Sequence, residues 1–328
     1  MVRIVTDSSS DISPELAHQL GIIVVPLYLR FGEDIYRDGV DMGTDEFYRK
    51  LETSSVRPTT SAPSPGDFVK VYEELAKDTD EIASIHIGSK VSATYEAALR
   101  AKEALGEAKC RVEVVDSQWT TMALGLIAIA AAKLAKAGMN LHDVVSEASN
   151  SIPRIHLLGV FDTLKYLLLG GRISKHKAIM GGVLNVKPLI AMRDGVLAQA
   201  GLVRTRAKGT ERLYEAVRNA LSIQDLAIVY STTLEEATSL RERIGSIFAK
   251  ERIQMARLGP ALGVHGGPGT LILAFREEEN RPGKKVIAGE NKRRLSLSSL
   301  RLPGQCLWCC QPQVRNPAIF LRLGLLKA

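Results

Sequence analysis

From its first residues the chain alternates short apolar runs with amphipathic stretches, and no other feature restricts the fold as strongly. Arg3–Thr6 reads as an apolar strand ending at Asp7, after which Ser13 caps a helix that carries Pro14 at its first position. Ile22–Leu29 is strand-like, and Thr44 opens an amphipathic helix through Phe47 and Leu51. Ser64-Pro65-Gly66-Asp67 predicts another helix start, because Asp67 can return the Ser64 cap before Phe68, Tyr72 and Leu75. Ile82–Ile87 and Val112–Val115 are further strands, each followed by a polar turn and a helix. This β-α-β-α rhythm builds a mainly parallel sheet covered by helices on both faces.

A second unit begins after the break at Ser151-Ile152-Pro153. It holds the strand Leu157–Phe161, the Gly170-Gly171 turn, the strand Lys187–Met192, and a hairpin turn at Asp194-Gly195 with its return strand. A helix at Arg206–Leu221, the strand Leu226–Tyr230, the helix Leu234–Phe248 and a last strand Thr270–Phe275 complete it. The expectation is therefore two α/β domains, each with a modest core: 1–152 doubly wound and mainly parallel, 153–275 smaller with a mixed sheet. Residues 276–328 are rich in Arg, Ser, Pro, Gln and Leu without sustained periodicity, and read as a poorly structured tail.

Charge separates the same regions. The net charge of +7 would suggest a nucleic-acid partner, but eleven of the 43 basic and four of the 36 acidic residues lie in 276–328, leaving 32 of each in 1–275. A duplex-binding surface needs a basic stripe on the folded part, and a neutral body argues against one. Cys306, Cys309 and Cys310 crowd the tail, whereas Cys110 stands alone in the body; with no histidine in the tail a closed zinc site is one ligand short. Neither a disulfide framework nor a resident metal is expected. The longest apolar run, Ala123–Ala132, is too short to cross a bilayer and reads as the middle of a buried helix. An acidic residue this early in MVRIVTDSSSD argues against a secretion signal, so a cytoplasmic location is expected.

Of the catalytic signatures, 1–275 contains no H-E-x-x-H, no Walker lysine loop and no G-x-S-x-G. The glycine-rich stretch Gly263–Gly269 matches no dinucleotide fingerprint, since Pro268 and the following strand deny it a helix to open. Three polar turns stand out instead: Thr59–Ser64, Gly88–Tyr95, and the loop around His265. Strand-to-helix turns in such sheets lie at the carboxyl edge, where ligands bind and helix dipoles favour anions. Ser92 is expected to cap its helix, and a ligand carboxylate could complement a first turn whose opening residues carry no acid. Each residue also has a purely structural explanation: a cap for Ser92, a turn for Thr60, a satisfied histidine for His265.

The motifs together resemble the DegV family of bacterial fatty-acid-binding proteins. Ile4–Ile12 looks like the family's opening, Thr60–Ser64 is similar to its T-S-Q-P-S, and Ser89–Tyr95 to its S-K-L-S-G-T-Y. Gly170-Gly171-Arg172-Ile173 matches its G-G-R-I, Asn185–Pro188 resembles its L-N-I-K-P region, and Leu258–Gly269 its I-G-P-x-I-G-x-H-x-G-P-G. The resemblance implies a long-chain fatty acid such as palmitate or oleate held between two α/β domains, its carboxylate bonded by Thr60, Ser92 and His265. Ser61, Ser89, Thr94 and Gly266 would support that site. It further implies a carrier without a catalytic centre or cofactor, which presents the acid to a separate ATP-dependent fatty acid kinase subunit contacted through Arg172, whose long side chain after the Gly-Gly turn is expected to reach outward. Membrane contact would be transient at most. Ala62, Gly88, Ala93 and Gly267 depart from the family pattern, and none of these removes an expected hydrogen-bonding side chain. The alternative from another class is a doubly wound enzyme acting on a small phosphorylated or carboxylated metabolite; a long apolar channel behind Thr60 and Ser92 would separate the two.

Overall fold

The computed structural model describes residues 1–106, 110–173 and 186–279. Asn185 of the Asn185–Pro188 motif and residues 280–328 of the expected tail lie outside the described residues.

The first half runs β1 (Arg3–Asp7), α1 (Pro14–Leu20), β2 (Ile22–Val25), β3 (Tyr28–Phe31), β4 (Asp34–Arg37), α2 (Thr44–Thr53) and β5 (Thr59–Ser61). It continues through α3 (Pro65–Leu75), β6 (Glu81–His86), α4 (Thr94–Leu105), β7 (Arg111–Asp116), α5 (Thr121–Lys136) and α6 (Leu141–Ser151). Four strands form a parallel sheet in the order β2-β1-β6-β7. The expected caps are present: Ser13 accepts from Leu16 N with Pro14 in the first turn, and Ser64 and Asp67 close a reciprocal capping box.

Ile22–Leu29, expected as one strand, is two. Pro26 lacks the N–H that would continue the parallel ladder, and the chain leaves the sheet there. β3 instead centres a three-stranded antiparallel sheet, β4-β3-β5, and so makes the polar Thr59–Ser61 segment a short strand.

The second half comprises β8 (Ile155–Val160), α7 (Lys165–Leu169), β9 (Lys187–Arg193), β10 (Val196–Val203), α8 (Arg206–Asn219), β11 (Ile223–Tyr230) and α9 (Leu234–Ile244). β12 (Ile253–Arg257), α10 (Pro260–Gly266) and β13 (Leu271–Glu277) finish it. The six strands are ordered β10-β9-β8-β13-β11-β12, with β11 and β12 parallel and every other pair antiparallel, so the sheet is mixed. Asp194 and Gly195 both have positive φ, as a two-residue hairpin turn between twisted strands requires. β12 had no counterpart in the sequence reading. The last strand also runs past Phe275: Arg276 is 4% exposed and bonded to Asp225 and Ser151, so the fold extends beyond the expected boundary.

α5 binds the halves together. Thirteen of its residues are buried, all round the helix, as its unbroken apolar run requires. One core cluster contains α5 with Ile4 and Ile85 from the parallel sheet and Leu157, Val229 and Ile272 from the mixed one. The two sheets thus share their largest core through this helix, and smaller separate clusters lie on their outer faces. No helix among the described residues is long and apolar enough to cross a membrane.

Candidate functional site

The opening motif acts through carboxylates. Asp11 accepts from Gly259 N at 2.9 Å and from Thr121 Oγ1, and Asp38 accepts from Ser8 Oγ at 2.7 Å. Asp38 also accepts from the backbone of Ala261, so both acids hold the first turn of α10 against the parallel sheet. Burial pushes Asp11 up to about 8 and Asp38 up to about 6, opposed by these hydrogen bonds. Asp11 and Thr121 both sit at positive φ, at 52° and 49°, costly for the β-branched Thr121 in particular.

His265 lies in the last turn of α10, not in a loop as expected. The helix tolerates its glycines because neighbours fill their space. A Cβ on Gly263 would come within 2.5 Å of the Phe47 ring, and one on Gly267, at φ 74°, within 2.2 Å of Tyr166. Gly170 faces the His265 ring so closely that a Cβ there would lie 2.1 Å from Nδ1. The Gly-Gly-Arg-Ile segment and the histidine segment are therefore complementary surfaces of one junction.

At that junction a cavity lies between the two sheets. Its walls are mainly aliphatic and aromatic, with Leu27, Ile87, Leu157, Phe161, Ile190 and Ile272 among them. Thr60, Ser61, Ser92, His265 and Gly266 supply polar lining, and Arg172 is the one charged residue of the wall among the described residues. Thr60 Oγ1 and His265 Nε2 are 2.9 Å apart, whereas the buried Nδ1 has no partner among the described residues. Burial, reinforced by Arg172 and Arg57, pushes His265 down to about 3, so the ring is neutral near neutral pH.

Two expectations need revision. Ser92 is not a helix cap: α4 begins after Ala93, which makes no side-chain cap, and Ser92 Oγ instead lies 2.8 Å from Thr94 Oγ1. Ser89 and Thr94, expected to support the site, lie outside the cavity lining; Ser89 donates to Asp116 at 2.6 Å and Thr94 is fully buried, so both shape the turn from behind. Arg172, expected to reach outward, is half-buried in the cavity wall and donates to Gly170 O at 2.6 Å. Thr120 and Thr121, also in the wall, carried no signal in the sequence, because they follow a strand as an ordinary polar turn would.

A second histidine cluster resembles a hydrolytic triad. His86 Nδ1 lies 3.0 Å from Asp7 Oδ2, its Nε2 2.7 Å from Ser84 Oγ, and Ser84 Oγ 2.8 Å from the Tyr72 hydroxyl. All four side chains are fully buried and none lines the cavity, so no substrate reaches the serine. The array ties β1, β6 and α3 together.

A profile of the DegV family of uncharacterised proteins matches residues 1–278. A DegV domain-containing protein of Caldanaerobacter subterraneus is 34% identical over 280 residues, which cover 84% of this chain and 99% of that protein. A solved structure concerned with fatty acid binding of a DegV family protein from Thermus thermophilus matches with a TM-score of 0.78 at 32% identity, covering 84% of this chain and 99% of that one. DegV of Bacillus subtilis, whose crystal structure is that of a fatty acid binding protein, matches at 0.75 and 29% identity, with the same coverage. The match runs from the first residue almost to the last described one and takes in every segment that meets at the cavity: the chain belongs to the DegV family.

Proposed function

We propose that this protein binds a long-chain fatty acid non-covalently in the cavity between its sheets. One observation carries the reading: among the described residues the wall is largely apolar, with one cation, Arg172, a few hydroxyls and no carboxylate to neutralise them. Such a cavity suits a ligand with an apolar body and one acidic group. Burying a sixteen-carbon chain contributes on the order of 10 kcal/mol gross, much reduced by ordering the ligand. The carboxylate sits at Thr60, Ser92 and His265 beside Arg172, where donors offset its desolvation. With the proton on Nε2, neutral His265 donates to Thr60 Oγ1 and frees the threonine hydroxyl to donate to the acid. Ser61 and Gly266 line the same end of the cavity; Ser89 and Thr94 support it indirectly.

The carrier acts in the cytoplasm and presents the acid to a separate ATP-dependent kinase that phosphorylates the carboxylate. Arg172, beside the acid group, is the residue through which that partner senses the bound head. This extension rests on the family resemblance. Organic extraction of purified protein, followed by titration with palmitate and oleate, tests the binding; recovery of no acyl lipid together with no measurable binding would end the proposal. Arg172→Ala, assayed with kinase and ATP, tests the extension: acyl-phosphate formation should fall further than fatty-acid affinity.

A further inference from the structure

Away from the Thr60–His265 pair, the cavity wall contains a second polar feature. α5 is a sixteen-residue helix whose N-terminus reaches the cavity, since Thr120 at its N-cap and Thr121 at its first position are both lining residues. Its first turn holds no acidic residue, and the Thr120 side chain makes no cap bond. Thr120 is 9% exposed, and its Oγ1 is buried with no hydrogen-bond partner among the described residues. A buried hydroxyl left without a partner is costly. The positive end of the helix dipole adds a preference for oxygen acceptors at the same point.

This position is not the head-group site. Thr121 is tied through Asp11 to Gly259, at the start of α10, whereas His265 is in the last turn of that helix. His265 lies six positions on from Gly259, roughly 9 Å at 1.5 Å per residue. No hydrogen bond joins Thr120 to Thr60, Ser92, His265 or Arg172.

We propose that the N-terminus of α5, with the Thr120 hydroxyl, is a second acceptor-binding position that recognises an oxygen atom on the acyl chain itself. The preferred ligand is then a hydroxy or oxo fatty acid with that oxygen part-way along the chain. This rests on the fatty-acid reading and deepens it. An all-methylene chain passes the Thr120 hydroxyl without satisfying it; a chain hydroxyl or ketone at the matching carbon accepts its proton.

The test is a binding series with stearate and with hydroxystearates carrying the hydroxyl at the second, a middle or the terminal carbon, on the full-length wild type, Thr120→Val and Thr120→Ser. The wild type should favour a mid-chain hydroxystearate over stearate by about tenfold, the worth of one buried hydrogen bond. T120V should erase that preference, tightening stearate and weakening the hydroxy acid, and T120S should restore it. Equal effects of T120V on every ligand would place Thr120 at the carboxylate, and no effect on any would leave its hydroxyl bonded to solvent; either overturns the proposal. If even stearate fails to bind wild type, the fatty-acid reading falls first, and the outcome is distinguishable from a failure at Thr120. A T120V protein that does not fold leaves T120S and the wild-type preference to decide: a wild type without preference overturns the proposal.

Discussion

Two buried histidines, each bonded to a hydroxyl, do opposite work in this molecule. His86 has both ring nitrogens engaged, by Asp7 and by Ser84, and no exposure at all. His265 has one nitrogen on Thr60, the other without a partner among the described residues, two cations nearby and a cavity at its side. Residue type does not separate them, nor does burial alone. What separates them is whether the hydrogen-bonding capacity is filled from within the fold. A filled network fixes packing; a partly filled one beside a cavity is available to a ligand. The Arg276 cluster belongs with His86: its guanidinium bonds Asp225 through two nitrogens and Ser151 through the third.

The largest effect should come from cutting into a filled network. A chain ended at Phe275 loses Arg276 and the end of β13, leaving Glu147 to Arg154 alone and Asp225 to Lys133 at 4.0 Å. Stability should fall by about 3–5 kcal/mol, the cost of breaking a buried ion pair. A chain ended at Glu279 keeps the whole of β13 and should melt with the full-length protein. Thermal melting of both compares them directly; equal melting of the two truncations would show that a filled network is not what marks the fold's end.

Next in size is the histidine pair itself. His86→Ala leaves the Asp7 carboxylate and Ser84 short of a partner in a dry interior, and should cost about 3 kcal/mol of stability or more. Its folded fraction should bind palmitate as wild type does. His265→Ala should do the reverse, weakening palmitate binding by about 1–3 kcal/mol while the empty protein's melting point moves little. The comparison breaks if both variants lose stability equally, as seen in melts run with and without ligand.

A third test uses pH. Asp11, held near 8 against an ordinary 3.8, contributes stability that is complete below the ordinary value and is lost as pH rises toward 8. Asp38, at about 6, acts in the same sense over a lower window. His265, pushed down to about 3 from 6.5, acts oppositely, costing stability as pH falls below 6.5. Between about pH 6.5 and 8 the histidine is neutral in both states, and the decline belongs mainly to Asp11, with Asp7, Asp38 and Tyr48 as its charged or titratable neighbours. Across that window stability should drop by on the order of 1 kcal/mol, and Asp11→Asn should flatten the drop. An unchanged slope in the variant would remove Asp11 from the account.

How much of this was legible follows the range of the interactions. The β-α rhythm, the Ser64–Asp67 box and the Asp194-Gly195 turn are local, and the sequence carries them plainly. α10 was not legible, because a helix opening at Gly259-Pro260 and containing Gly263 and Gly266 has poor local propensity. It forms because those glycines admit Phe47, Tyr48, Leu258 and Thr270 from elsewhere. The split at Pro26 did have a local signal, the missing donor. Motif resemblance located Thr60, Ser92 and His265 without revealing that Arg172 shares their cavity, since whether a side chain after a Gly-Gly turn points in or out depends on what packs against the turn. Thr120 left no trace at all: only the three-dimensional accounting of partners singles it out.

The smallest expected effect is at Ser92, where the distinction between filled and open networks is finest. Its hydroxyl already touches Thr94 Oγ1 at 2.8 Å and accepts weakly from Thr94 N at 3.3 Å, so one part of its capacity is filled. It also lines the cavity, where its remaining capacity faces the proposed carboxylate. Because Ser92 is not the helix cap, Ser92→Ala should cost less stability than a lost cap, under about 1 kcal/mol. Palmitate binding should weaken by about 1 kcal/mol, less than for His265→Ala, because Thr60 and Arg172 remain. Isothermal titration alongside melting measures both quantities on one preparation. Should stability drop while affinity holds, Ser92 falls on the side of His86, and the head-group site contracts to Thr60, His265 and Arg172.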